Sequence, residues 1–167
     1  MPETPIQHPV LRRLFDYWRS LRVDGRLPPF ARFDPTTVPE IMGRAMVIAV
    51  ERDPLRFRYR IYATRSAMLS YIDLTGRYVD ELPGDAERAI VLGRLTRGVA
   101  DGKPTVIVRT SRAPHDFVTF ESVMLLFADD GETVDTVVFG MHRLSEQPAW
   151  STDASAPVVL SEHTLDD

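Results

Sequence analysis

The chain has 167 residues, 44% of them hydrophobic and 26% charged, with a net charge of −4. That is the profile of an ordinary globular domain, large enough to hold a core without covalent or metal staples. It contains no cysteine, which excludes disulfide scaffolds, thiol nucleophiles, Cys-ligated metal centres, c-type haem attachment and cysteinyl-flavin photochemistry; a reducing, cytoplasmic setting is expected. No apolar run reaches the roughly 18 residues of a membrane span, and no signal-peptide pattern opens the chain, so no membrane partner is expected. The charge is uneven: residues 1–112 hold 19 basic and 13 acidic groups, residues 113–167 hold 1 and 11.

After a flexible start over 1–9, Val10, Leu11, Leu14, Phe15, Trp18 and Leu21 recur at helical spacing and predict an amphipathic helix over 10–22 with proline at its first turn. Five Pro and Gly residues make 24–39 an irregular connector, followed by a helical turn at 39–43. Two strands are expected at 45–51 and 56–63, joined by Arg52-Asp53-Pro54. In the second, Phe57, Tyr59 and Ile61 alternate with Arg56, Arg58 and Arg60, the apolar set facing a core. Two short helices are expected within 64–82. Asp85 reads as the N-cap of a helix over 86–100 with a buried stripe of Val91, Leu92, Leu95 and Val99, ended by Asp101-Gly102. Strands follow at 104–112, 117–128 and 133–144, the last two joined at Asp129-Asp130-Gly131. The Ser-, Pro- and acid-rich 145–167 reads as a mobile acidic tail. Strands in two blocks around a helical middle predict an α+β domain over 10–144: a five-stranded antiparallel sheet, helices on one face, and an N-terminal flanking helix.

The order of several short motifs is more specific. Leu14-Phe15-Asp16-Tyr17-Trp18-Arg19, then Leu27-Pro28 and Asp34-Pro35, then Phe57-Arg58-Tyr59-Arg60-Ile61, then Asp73-Leu74-Thr75-Gly76-Arg77 resemble a bacterial family of stand-alone PAS-like proteins over residues 10–144. The chain departs from that pattern at Ala63 and Tyr71, where the family has glycine; a tyrosine at 71 would reshape a cavity there. The resemblance implies a sensory or regulatory module that binds a small molecule, a protein partner or both, and signals by contact.

In the PAS layout the helical middle packs on the sheet, so Tyr59, Ile61, Thr64, Met68, Leu74, Leu92, Leu95, Met124 and Leu126 are candidates to line a pocket. Simple core packing is the competing account of each. Arg60 has two readings: a bidentate clamp on an anionic ligand, or a tether to Asp16, Asp34 or Asp73. Phe15, Trp18 and Leu21 are the candidate surface for a homodimer or protein partner, because flanking helices of PAS proteins commonly mediate dimers. The cofactor is unknown. The helix over 86–100 lacks the histidine that haem-bearing members supply, His142 is a remote substitute, and no metal-ligand spacing occurs among the four histidines.

No nucleophile elbow or phosphate loop is present, and no catalytic residue is expected. The alternative is an enzyme on a cone-like α+β fold, with Asp73, Glu121 or His142 working beside Tyr59 or Tyr62 in isomerase or dehydratase chemistry. Nucleic acid is not expected as a partner, since Phe57 and Tyr59 alternate away from the arginines around them. A mobile acidic tail could lie against the chain's own basic N-terminal surface.

Overall fold

The computed structural model describes residues 5–64, 72–112, 117–145 and 158–165. Helix α1 (Pro9–Leu21) starts where predicted. Pro9 occupies its first position, and the His8 side chain accepts a hydrogen bond from the Val10 amide. Three 3₁₀ turns within 30–41 carry the connector to β1 (Ala45–Glu51) and β2 (Arg56–Ile61). Helix α2 (Asp85–Asp101) precedes β3 (Thr105–Arg112), β4 (Phe117–Phe127) and β5 (Thr136–Ser145). The N-cap of α2 is Gly84, at φ +86°, and Asp85 is the first helical residue; there its carboxylate still faces the positive end of the helix dipole. Gly102, left-handed at φ +65°, closes α2 by donating its N–H to the Gly98 carbonyl.

Among the described residues the sheet has six strands, not five, in the order β2-β1-β5-β4-β3-β6, every pair antiparallel. The added strand, β6 (Val159–Thr164), comes from the segment read as a mobile tail. It pairs along β3 from Thr105↔Thr164 to Arg109↔Val159, Leu165 beyond it is buried, and Glu162 binds Arg97 at 2.9 Å. The acidic segment thus meets a basic group, but on α2 rather than on the N-terminal helix. Composition concealed this strand because its side chains are mostly exposed and its stability comes from main-chain pairing along an edge.

Both sheet faces are covered. On one, Val123, Gly140 and Ala45 share a row, and a Cβ at Gly140 would overlap the Leu14 side chain and crowd Ile41. This face packs against Leu11, Leu14, Phe15 and Trp18 of α1, all buried, with Trp18 Nε1 donating to the Leu126 carbonyl at 2.9 Å. Phe30 and Phe33 of the connector meet Phe127 edge-on. The buried Glu121 carboxylate receives the amides of Gln7 and His8, both at 2.7 Å, tying the chain before α1 to β4. On the opposite face α2 comes so close that a Cβ at Gly98 would collide with the Met124 side chain.

Two other expectations change. Ile61 is 55% exposed, because the β1–β2 pairing slips: Ile48 faces Tyr59 whereas Val47 faces Ile61, leaving Arg60 as a bulged residue. The extra residue reverses the alternation and turns Ile61 away from the Tyr59 face. Phe15 and Trp18 are core residues of this fold and Leu21 is half-buried, so a partner at α1 would meet Arg12, Arg13, Asp16 and Arg19 instead.

Two outcomes follow. Deleting residues 158–167 removes the strand that covers β3, so the melting temperature falls and light scattering reports self-association; an unchanged, monodisperse protein would contradict that role. Burial, then His142 and Arg44, hold the His8 imidazole below its ordinary value, and its ring stacks on His142 at 3.4 Å between centroids. A base with a lowered folded pKa contributes stability that is complete above its unfolded value and lost as pH falls through the folded one. Thermal stability should therefore fall as pH drops through and below the ordinary imidazole value, and fall less in His8→Asn, which keeps a cap but does not titrate.

Candidate functional site

The face under α2 is built from alternate residues of the central strands. Tyr59, Ile48, Val137 and Leu126 form one row, and Met46, Phe139, Met124 and Thr105 the next. Helix α2 does not lie evenly on them. Arg94, Leu95 and Gly98 are buried, while Glu87, Arg88, Ile90, Val91 and Leu92 in its first half are only half-buried. The helix is pressed to the sheet at its C-terminal half, where a glycine permits contact, and stands off at its N-terminal half.

Arg94 fixes that contact. Its Nε donates to Thr105 Oγ1 at 2.9 Å, Nη1 to Ser122 Oγ at 2.6 Å, and Nη2 to the carbonyls of Thr105 and Ser122, both at 2.8 Å. The guanidinium also lies over the Phe139 ring, 5.0 Å from its centre. Its bonded partners are all neutral. Burial lowers its pKa to about 9, with Glu162 opposing and Arg109 and Arg97 adding to the fall, so it is still charged at neutral pH.

Around the raised end of α2 stand three polar groups. Arg109 and Glu87 form a bidentate pair, Nη1 to Oε2 at 2.7 Å and Nη2 to Oε1 at 2.6 Å, with side chains 12% and 24% exposed. Tyr59 is 2% exposed, packs edge-on against Tyr62 at 5.1 Å between ring centres, and has no hydrogen-bond partner for its hydroxyl among the described residues. Burial raises the pKa of that hydroxyl, reinforced by Tyr62 and Glu87 and opposed by Arg109. It is therefore a neutral donor and acceptor, close enough to the ion pair to feel both charges.

Of the candidate lining residues, Tyr59, Met124 and Leu126 share this face, with Leu95 packed in the same core, Leu74 buried there too, and Leu92 half-buried on α2. Ile61 and Thr64 are exposed and do not belong to it, and Met68, like Tyr71, lies outside the described residues. Arg60 is on the α1 side, its guanidinium 5.7 Å from the centre of the Phe30 ring. It is neither the expected clamp in a pocket nor, among the described residues, ion-paired to Asp16, Asp34 or Asp73; it steadies the connector through an aromatic ring. Arg94, Arg109 and Glu87 were missed. For Arg94 a signal existed, since it falls on the same helical stripe as Val91, Leu95 and Gly98.

Of the acid–base alternative, no carboxylate or histidine named for it is brought to Tyr59. Glu121 and His142 are paired on the α1 side, Tyr59 is on the other, and Asp73 is exposed and caps the Thr75 amide. His142 is stacked on His8, away from α2, so it does not offer haem an axial ligand there. Among the described residues no group of three His, Asp or Glu side chains could hold a metal ion. A cleft of about 250 Å³ opens elsewhere, between Leu21, Leu27, Pro28 and the 128–131 turn. There Arg26 is already engaged by the Asp130 carbonyl at 2.6 Å and by Glu132, which leaves no chemistry comparable to the α2 site.

Comparison with known proteins follows this geometry. The family described as "PAS domain" matches residues 6–141. No curated protein matches. Among solved structures, a light-oxygen-voltage domain studied with a flavin analogue is 16% identical, with a TM-score of 0.49 over 68% of this chain and 87% of that one. The Vibrio cholerae protein VqmA, in a complex with ligand and DNA, is 10% identical with a TM-score of 0.46, covering 70% of this chain and 54% of its own. The VqmA dimer without target DNA is 12% identical with a TM-score of 0.46, covering 77% and 61%. The chain thus spans less than two thirds of VqmA. These comparisons give no support to excluding nucleic acid as a partner. Among the described residues no helix is long and apolar enough to cross a membrane.

Replacing Arg94 by lysine tests the contact that holds α2 down. Lysine offers a point charge with three donors in place of the planar fork, so Arg94→Lys should destabilise the fold by about 2–4 kcal/mol in urea unfolding. Wild-type stability would show the fork to be dispensable.

Proposed function

Because the chain belongs to the PAS domain family, matched over residues 6–141, we propose that it is a sensory or regulatory module that holds a small molecule between α2 and the sheet. The observation that carries this reading is the Tyr59 hydroxyl, which ends a ring buried on the sheet face under α2 and has no hydrogen-bond partner among the described residues. A hydroxyl that makes no hydrogen bond among the described residues keeps both its donor and its acceptor for a guest. It stands where α2 lifts from the sheet, so a guest there would have apolar walls from Val91 and Leu92 and one polar contact at depth. Occupancy would act on the angle of α2, whose far end is fixed by Arg94 and whose Arg97 holds β6 through Glu162. Movement at the site would thus reach the edge of the sheet and whatever contacts it.

Tyr59→Phe deletes the hydroxyl and keeps the ring. The variant should match or slightly exceed wild-type thermal stability and should lose any small molecule that native mass spectrometry finds on the wild-type protein. A stability loss above about 1 kcal/mol would mean the hydroxyl serves the fold itself, and a bound mass unchanged by the substitution would place the ligand elsewhere; either result overturns the reading.

A further inference from the structure

Resting on the reading of the α2 site as a ligand site, we infer that its ligand is electrically neutral: an apolar, ring-sized molecule carrying a hydroxyl, carbonyl or ring nitrogen that bonds Tyr59. The reason is that, among the described residues, the charged groups of α2 and the Arg109 beside it already pair with or are saturated by others. Arg109 and Glu87 satisfy one another through two parallel hydrogen bonds. Arg94 directs both Nη atoms and Nε to Thr105 and Ser122. Arg97 is held by Glu162, and Arg88 by Asp85 and the Leu82 carbonyl. An anion entering here would have to break an existing pair to gain a cation, leaving the displaced carboxylate of Glu87 half-buried and alone. A cation would face the same exchange with Arg109.

A neutral molecule requires no such exchange. The Tyr59 hydroxyl can donate to one acceptor and accept from one donor, and its edge-on partner Tyr62 adds an aromatic surface for an apolar ring. Transfer of an unpaired carboxylate from water to such a place is far costlier than transfer of an alcohol. The geometry therefore selects against the ionised member of any pair of molecules of equal shape.

Matched probes make the test: benzyl alcohol and 2-naphthol against benzoate and 2-naphthoate, titrated into the full chain and into Tyr59→Phe, with affinity read from ligand-dependent melting temperature and from chemical-shift changes. The expected result is that at least one neutral probe binds saturably, about tenfold or more tighter than its carboxylate, and that Tyr59→Phe weakens it severalfold. Carboxylates that bind as well as or better than the alcohols, and still respond to Tyr59→Phe, overturn neutrality while leaving the site in place. Absence of saturable binding by all four, or binding that ignores Tyr59→Phe, overturns the site itself and the inference with it.

Discussion

Strand β4 is apolar on both faces from Val123 to Phe127, and every residue in that run is fully buried. A strand of that kind cannot sit in a sheet with one wet side. It demands two covers. Helix α1 and the aromatic connector supply one, and α2 with the segment leading to it supplies the other. The close approaches at Gly140 and Gly98 mark where each cover touches down. The Glu121 carboxylate and the Trp18 indole then lock the first cover to β4 by polar contacts that only one register of α1 can make.

The two covers differ in kind. The α1 side is closed by shape, with large buried side chains and stacked rings, and its buried carboxylate and indole are both hydrogen-bonded. The α2 side is closed at one end only. There the helix is clamped by a guanidinium whose bonds go to neutral groups, and at the other end an ion pair and a phenol without a hydrogen-bond partner among the described residues stand near half-buried aliphatic residues. A sheet with one sealed and one partly open side suits a module whose state depends on what occupies the open side.

Element order was legible in the sequence, because the helical spacing of α1 and α2, the alternation at the start of β2 and the apolar runs of β1 and β4 are plain. What stayed hidden has specific physical causes. One bulged residue at Arg60 reversed the phase of β2 and exposed Ile61. Strand β6 earns its place through backbone pairing, which side-chain patterns do not record. Of the site, Tyr59 could be named from alternation, Leu95 from helical spacing, and Met124 and Leu126 only through the resemblance to the PAS layout. Arg94, Arg109 and Glu87 could not, because a charge inside an apolar stripe reads as solvated until its partners are seen. The charge split has a similar explanation: acids of the later part serve main-chain and arginine contacts of the earlier part, as Glu121 does for Gln7 and His8, Glu132 for Arg26 and Glu162 for Arg97.

The tie between Glu121 and the residues before α1 spans 113 positions of sequence, and the indole bond from Trp18 to Leu126 spans 108. A chain made from its N-terminus therefore emerges with the apolar face of its first helix bare, and no strand able to receive that face exists until most of the domain has been synthesised. Contacts so distant close late and slowly. During translation the same surface that later seals the sheet is a sticky, unattended patch, and its burial marks the moment at which the nascent domain stops needing protection.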